Sequence, residues 1–177
     1  MRLFVALRFD DETIDRLLEL QEAMKNAGIE GRYVPRENLH MTLLFIGEYK
    51  NPDDILDLME EIRFKPFHVR MEHIEKYRDL YTVAFSVNNE LEAYVRRLRR
   101  ALGDGGVPFD RKKFYPHVTM VRKASCKEEF PILPEDLSDF DIEISHVSLM
   151  RSEQGKNGMI YSEMGGTDTS KGENSGL

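Results

Sequence analysis

Cysteine is almost absent from this sequence. A single one, Cys126, in 177 residues excludes an internal disulfide framework and any zinc site built on several thiolates. Long apolar runs are absent too. None approaches the roughly 20 residues a membrane-spanning helix needs, and the opening MRLFVALRFDDE turns acidic too soon to serve as a secretory signal. The expected location is therefore the cytoplasm, with no membrane partner. Positive charge is not in excess. A net charge of −7 excludes a protein that coats long duplexes through its overall field, since that mode rests on many Lys and Arg contacts to phosphate. Neither HExxH nor the phosphate-cradling GxxxxGK[ST] occurs, so a zincin-type site and nucleoside triphosphate hydrolysis have no support. With five histidines and no ligand-like cluster among them, no metal and no cofactor are expected.

The chain is long enough to bury a real core, as one compact domain or two small lobes sharing an interface. RLFVALRF reads as a strand, and Asp10 or Asp11 then caps a helix with Ile14, Leu17, Leu18 and Met24 at helical spacing up to Gly28. RYVP and LHMTLLFI follow as strands, and Asn51-Pro52 opens a second helix. FHVRMEHIEKY and LYTVAFSV read as two strands turning at Arg78 and Asp79. Asn88 or Asn89 caps a third helix that stops near Gly103, ahead of the strand around residue 117. DFDIEISHVSLMRS and MIYSEMG pair as a hairpin turning at QGKNG. The order strand, capped helix, glycine stop, loop, strand thus occurs twice, with 37 residues from Leu3 to His40 and 36 from Tyr81 to His117. Two related lobes facing one another across a groove are expected, within a domain spanning 1–165. The stretch 166–177, GTDTSKGENSGL, has almost no apolar content and is expected to be a flexible tail.

The chemistry lies in NLHMTLLFIG and YPHVTMVR. In each, a histidine is followed two places on by a threonine, and in a strand such residues share one face. His40, Thr42, His117 and Thr119 would then present two imidazoles and two hydroxyls to one cleft. That set suits in-line displacement at phosphorus. One neutral imidazole takes a proton from the attacking water while the other, protonated, gives one to the departing oxygen. Hydroxyls can hold the non-bridging oxygens, and a histidine pKa near 6.5 lets both forms coexist close to neutrality. His68, His73 and His146 lack the threonine and are read as structural. The segment DRKKFYPHVTMVRK concentrates Arg111, Lys112, Lys113, Arg122 and Lys123 beside the second motif, where an anionic ligand or RNA end could be held. Tyr33, Phe114 and Tyr115 are available to stack on a base but are read first as packing residues.

HMTL at 40–43 and HVTM at 117–120, together with MRLFVAL, VPRENLH and FYPHVTMVR, resemble the 2H phosphoesterase superfamily, and within it the RNA 2′,3′-cyclic phosphodiesterases also called 2′-5′ RNA ligases. The resemblance spans roughly residues 1 to 165. It implies a bilobal α+β fold of two pseudo-two-fold-related antiparallel sheets with outer helices and a central active-site groove. It also implies metal-free hydrolysis of a 2′,3′-cyclic phosphate to a 2′-phosphomonoester, with RNA or oligonucleotide ends and cyclic nucleotides as partners. A monomer is expected. His40 would be the proton donor and His117 the acceptor, although the residues by themselves do not order the pair. Thr42, Thr119 and Arg122 match positions that hold the phosphate. Arg122 is five residues beyond His117, so strict alternation would turn it to the opposite face, and it needs a bulge, a strand end or a long reach. Reversible 2′-5′ ligation and a non-catalytic RNA-end or nucleotide-binding module are the alternatives.

Overall fold

The computed structural model describes residues 1–86 and 88–169. Nine strands and three helices alternate along these residues: β1 Arg2–Leu7, α1 Asp11–Asn26, β2 Glu30–Tyr33, β3 Met41–Glu48, α2 Pro52–Glu60, β4 Phe67–Tyr77, β5 Leu80–Phe85, α3 Asn89–Asp104, β6 His117–Ser125, β7 Asp141–Ile144, β8 His146–Gly155 and β9 Gly158–Asp168. Each helix begins where a side chain satisfies free amides of the first turn. Asp10 accepts from the Thr13 amide, Asn51 from Asp53, and Asn88 from Glu90 and Leu91.

The strands form two antiparallel sheets, ordered β3-β1-β8-β9 and β2-β6-β5-β4-β7. Apart from the added β2, the two have one plan. A motif strand (β3 or β6) lies beside the strand that opens its repeat (β1 or β5), and a further pair lies outside. This is the expected α+β, pseudo-two-fold architecture. One continuous core joins both sheets and all three helices, with Val5, Leu7, Leu17, Met24, Met41, Ile55, Leu98, Val118 and Met120 inaccessible to solvent. The motif strands β3 and β6 are in contact, as are α1 with β6 and α3 with β3.

Two sequence expectations need correction, and one strand crosses between the repeats. The run from Asp141 to Ser152 is not one strand: β7 pairs with β4 in the second sheet, and β8 with β1 and β9 in the first. Its residues in the main core are Ile142 and Ile144, then Val147 and Leu149, so the two-residue period slips across Ser145, where the chain changes sheet. Strand β2, from the first repeat, joins the second sheet by pairing with β6. The polar tail does not begin at Gly166, because Gly166, Thr167 and Asp168 complete β9 opposite Ser148, Val147 and His146. A side chain at Gly166 would sit 2.5 Å from the His146 ring, which is why this stretch looks too poor in side chains to be structured. Residues 170–177 lie outside the described residues.

Both motif strands carry a bulge. In β3, Val5 faces Leu44 while Ala6 faces Thr42, leaving Leu43 as an extra residue. In β6, Tyr81 faces Val121 while Thr82 faces Thr119, leaving Met120 as the extra one. The Met120 carbonyl is well supplied with donors, accepting from the Val34 amide at 2.9 Å and from the buried Gln21 side chain at 3.1 Å. Gln21 also donates to the Val34 carbonyl at 2.9 Å. Gln21→Met keeps the volume but removes these donors. Urea unfolding should show a loss of roughly 1–3 kcal/mol, and no change would mean the amide does not hold α1 to the bulge.

Candidate active site

The chain brings both motifs to one groove by the same local device. His40 precedes β3 and His117 opens β6, and each ring nitrogen Nδ1 lies against the carbonyl two residues earlier: Asn38 at 2.6 Å and Tyr115 at 2.7 Å. With Nδ1–H donating to a carbonyl, the other nitrogen, Nε2, is left for chemistry. On His40 it lies 2.9 Å from the Thr42 hydroxyl. A short 3₁₀ turn, Arg36–Asn38, sets the Asn38 carbonyl, and the Asn38 side-chain amide anchors that turn by donating to the Met159 carbonyl of β9 at 2.9 Å.

The bulges decide what else reaches the groove. Leu43 and Leu44 are both buried, as are Met120 and Val121, so the alternation of faces shifts by one in each strand. His117, Thr119 and Arg122 consequently share a face, and the bulge required for Arg122 is present. In β3 the equivalent shift turns Phe45 to the face of His40 and Thr42, where it is 54% exposed and lies 6.1 Å from the Phe4 ring.

Around His40 the wall is aromatic. Phe4 stands 5.2 Å from its ring centroid and Tyr161 stands edge-on at 5.1 Å. Phe4, Ala6 and Met150, with Tyr161 against them, form a small apolar cluster separate from the main core. Burial pushes the His40 imidazole below the ordinary histidine value. The Asn38 carbonyl opposes that shift, while the positive charges of Arg122, His117 and Arg8 add to it. Groups from both sheets therefore act on one ring.

The His117 side is more open and partly acidic. Tyr115 is 51% exposed, its ring 5.9 Å from that of His117, and its hydroxyl donates to Glu75 at 2.7 Å. Burial raises the Glu75 pKa, but hydrogen bonds from Tyr115 and His73 and the charges of His73 and His117 outweigh it and hold the carboxyl below its usual value. Tyr115 itself is pushed up to about 12 by burial and by that carboxylate. Of the other aromatics named from sequence, Tyr33 bonds the Ile29 carbonyl and Phe114 packs on the core. The sequence reading missed Phe4, Phe45 and Tyr161. The phase of Phe4, Ala6 and Arg8 in RLFVALRF was the available signal, masked because β1 is apolar on both faces. His68 pairs with Asp141 beside a cavity of about 390 Å³ lined by none of the predicted site residues. Among the described residues no group of three or more His, Cys, Asp or Glu is arranged to hold a metal ion, and no helix is long and apolar enough to cross a membrane.

The family model of the 2′-5′ RNA ligase superfamily matches residues 9–156. The chain belongs to this superfamily. Relatives within the superfamily include proteins named RNA 2′,3′-cyclic phosphodiesterase from Thermus thermophilus, 29% identical over 91% of this chain and 86% of that one, and from Methanocaldococcus jannaschii, 28% identical over 91% and 96%. A Thermus thermophilus crystal structure superposes with a TM-score of 0.77 at 25% identity, covering 95% of this chain and 97% of that one. Escherichia coli LigT in apo form shares the superfamily fold, with a TM-score of 0.81 at 21% identity and coverage of 96% and 98%.

The charges acting on His40 can be tested by NMR titration of the imidazole. Its pKa should lie below about 6.5 and rise in Arg122→Ala, which removes one repelling cation. A downward shift, or none, would show that Arg122 does not face this ring.

Proposed function

We propose that the protein hydrolyses the 2′,3′-cyclic phosphate ends of RNA to 2′-phosphomonoesters, with His40 as general acid and His117 as general base. The observation that carries this reading is the matched pair of imidazoles, each fixed through Nδ1 to a carbonyl so that Nε2 is left for proton transfer. Water attacks phosphorus as His117 Nε2 takes its proton. The bond from phosphorus to O3′ breaks in line, and His40 Nε2 gives its proton to O3′, leaving the phosphate on O2′. Thr42, Thr119 and Arg122 hold the non-bridging oxygens as charge gathers on them. The order of acid and base, and hence the 2′ product, follows the family resemblance. Free His40 is biased toward the neutral form. An anionic phosphate that offsets Arg122 favours its protonation, so the acid is charged by the act of binding.

The remaining assignments belong to the same proposal: RNA or oligonucleotide ends as substrates with cyclic nucleotides as their minimal form, no metal or cofactor in the reaction, and a monomer in the cytoplasm. Ligation and a non-catalytic role have no separate observation in their favour.

An RNA bearing a 2′,3′-cyclic end should be opened at an unchanged rate in the presence of EDTA, to a product that a 3′-specific phosphatase leaves intact. Loss of activity with EDTA and recovery with zinc or manganese would overturn the metal-free chemistry, and a phosphatase-sensitive product would reverse the direction of opening. His40→Ala and His117→Ala should each lower turnover by roughly 10²-fold or more with folding retained, while His68→Ala should change it little. A comparable loss in His68→Ala would contradict the assignment.

A further inference from the structure

Arg8 lies beside the groove, and neither motif contains it. Continuing the registers of β1 one residue past Leu7 sets it between His40 of the β3 side and His146 of the β8 side, on the face of Phe4 and Ala6. Two side-chain observations agree with that placement. Its charge acts on His40, and its Nη1 pairs with Glu163 Oε2 at 3.3 Å. Glu163 is itself fixed, accepting from the Ser148 hydroxyl at 2.6 Å and contacting His146 Nε2 at 2.8 Å, while His146 Nδ1 meets Asp168 at 2.8 Å. The guanidinium is thus held at one corner. It is 47% exposed, and among the described residues its other N–H groups meet no partner. A fork of this kind suits a phosphate oxygen pair.

The pseudo-symmetry makes the position informative. The cross-strand pairs Ala6–Thr42 and Thr82–Thr119 align β1 with β5, so the counterpart of Arg8 is Ala84, which is buried and opposite His117. The next pair, Phe9 and Phe85, stack on each other at 5.9 Å with rings 4° from parallel, as equivalent residues near a shared axis would. Beyond His117 the nearby charge is instead the Glu75 carboxylate. A polyanion leaving the groove across β1 meets a cation, whereas one leaving across β5 and β4 meets an anion. The reacting phosphate belongs between the two imidazoles, whereas Arg8 is one strand, about 4.8 Å, behind His40 as seen from β6.

We propose that Arg8 binds the phosphodiester immediately upstream of the cyclic end, so that the RNA strand leaves the groove across β1 and oligonucleotides are preferred to cyclic mononucleotides. This rests on the cyclic phosphodiesterase reading of the site. The test compares three substrates: a cyclic mononucleotide, a dinucleotide with a 2′,3′-cyclic end, and the same dinucleotide with a neutral methylphosphonate linkage. The parent enzyme should favour the charged dinucleotide over the neutral one by roughly tenfold in kcat/KM, carried by KM and declining with salt. Arg8→Ala should abolish that preference, and Arg8→Lys should restore part of it. A preference that survives Arg8→Ala overturns the proposal. So does an equal loss on the mononucleotide, which would place Arg8 on the reacting phosphate. Failure of the parent enzyme to open any of the three would remove the reading of the site itself, and the proposal with it.

Discussion

The bulge just after the threonine in each motif strand sets the composition of the site. A strand alternates its faces, so a motif of histidine, then threonine two places on, would send the residue five places beyond the histidine into the core. In β6 that residue is Arg122, and a guanidinium buried without a partner costs several kcal/mol. Burying Met120 and Val121 in succession avoids this. The core's demand for two consecutive apolar side chains bends the strand, and Gln21 and the Val34 amide satisfy the carbonyl involved. A packing preference on one face thereby decides which cation is available on the other.

The same device in β3 brings out Phe45 instead of Arg122, and at the next level Arg8 stands where the second lobe has Ala84. A frame with near two-fold symmetry is thus decorated asymmetrically. The His40 wall is aromatic and cationic, formed by Phe4, Phe45, Tyr161 and Arg8. The His117 wall is more open, with Tyr115 held against Glu75. Chemistry that needs one acid and one base requires such a difference, since identical surroundings would give the two imidazoles identical proton affinities.

How much of this was legible in the sequence depends on how local the signal was. The capped helices, the paired His-x-Thr motifs and the two-lobe plan rest on spacing within short segments, and each was readable. The bulges were not, because LLFIG and MVRK satisfy a regular strand equally well until the partner register is known. The change of sheet at Ser145 left a trace in the slipped period of Ile142, Ile144, Val147 and Leu149, but a slip does not say which sheet receives the strand. Phe4 and Arg8 became visible only when pairing set β1 between the motif strand and His146. Long-range register was the missing quantity in each case.

In the proposed mechanism two histidines from pseudo-equivalent strands divide acid and base work at one phosphorus. The pH dependence of kcat/KM on a 2′,3′-cyclic substrate tests it most directly. A base must be neutral, so His117 in that role makes activity rise with pH on the acid side. An acid must be protonated, so activity falls as pH climbs through the pKa of His40, which its surroundings hold low in the free enzyme. The profile should be a bell, with the residual activity of His117→Ala lacking the acid limb and that of His40→Ala lacking the alkaline one. Both limbs persisting in either variant would contradict the division of labour, and the opposite limb disappearing in each would exchange the two roles.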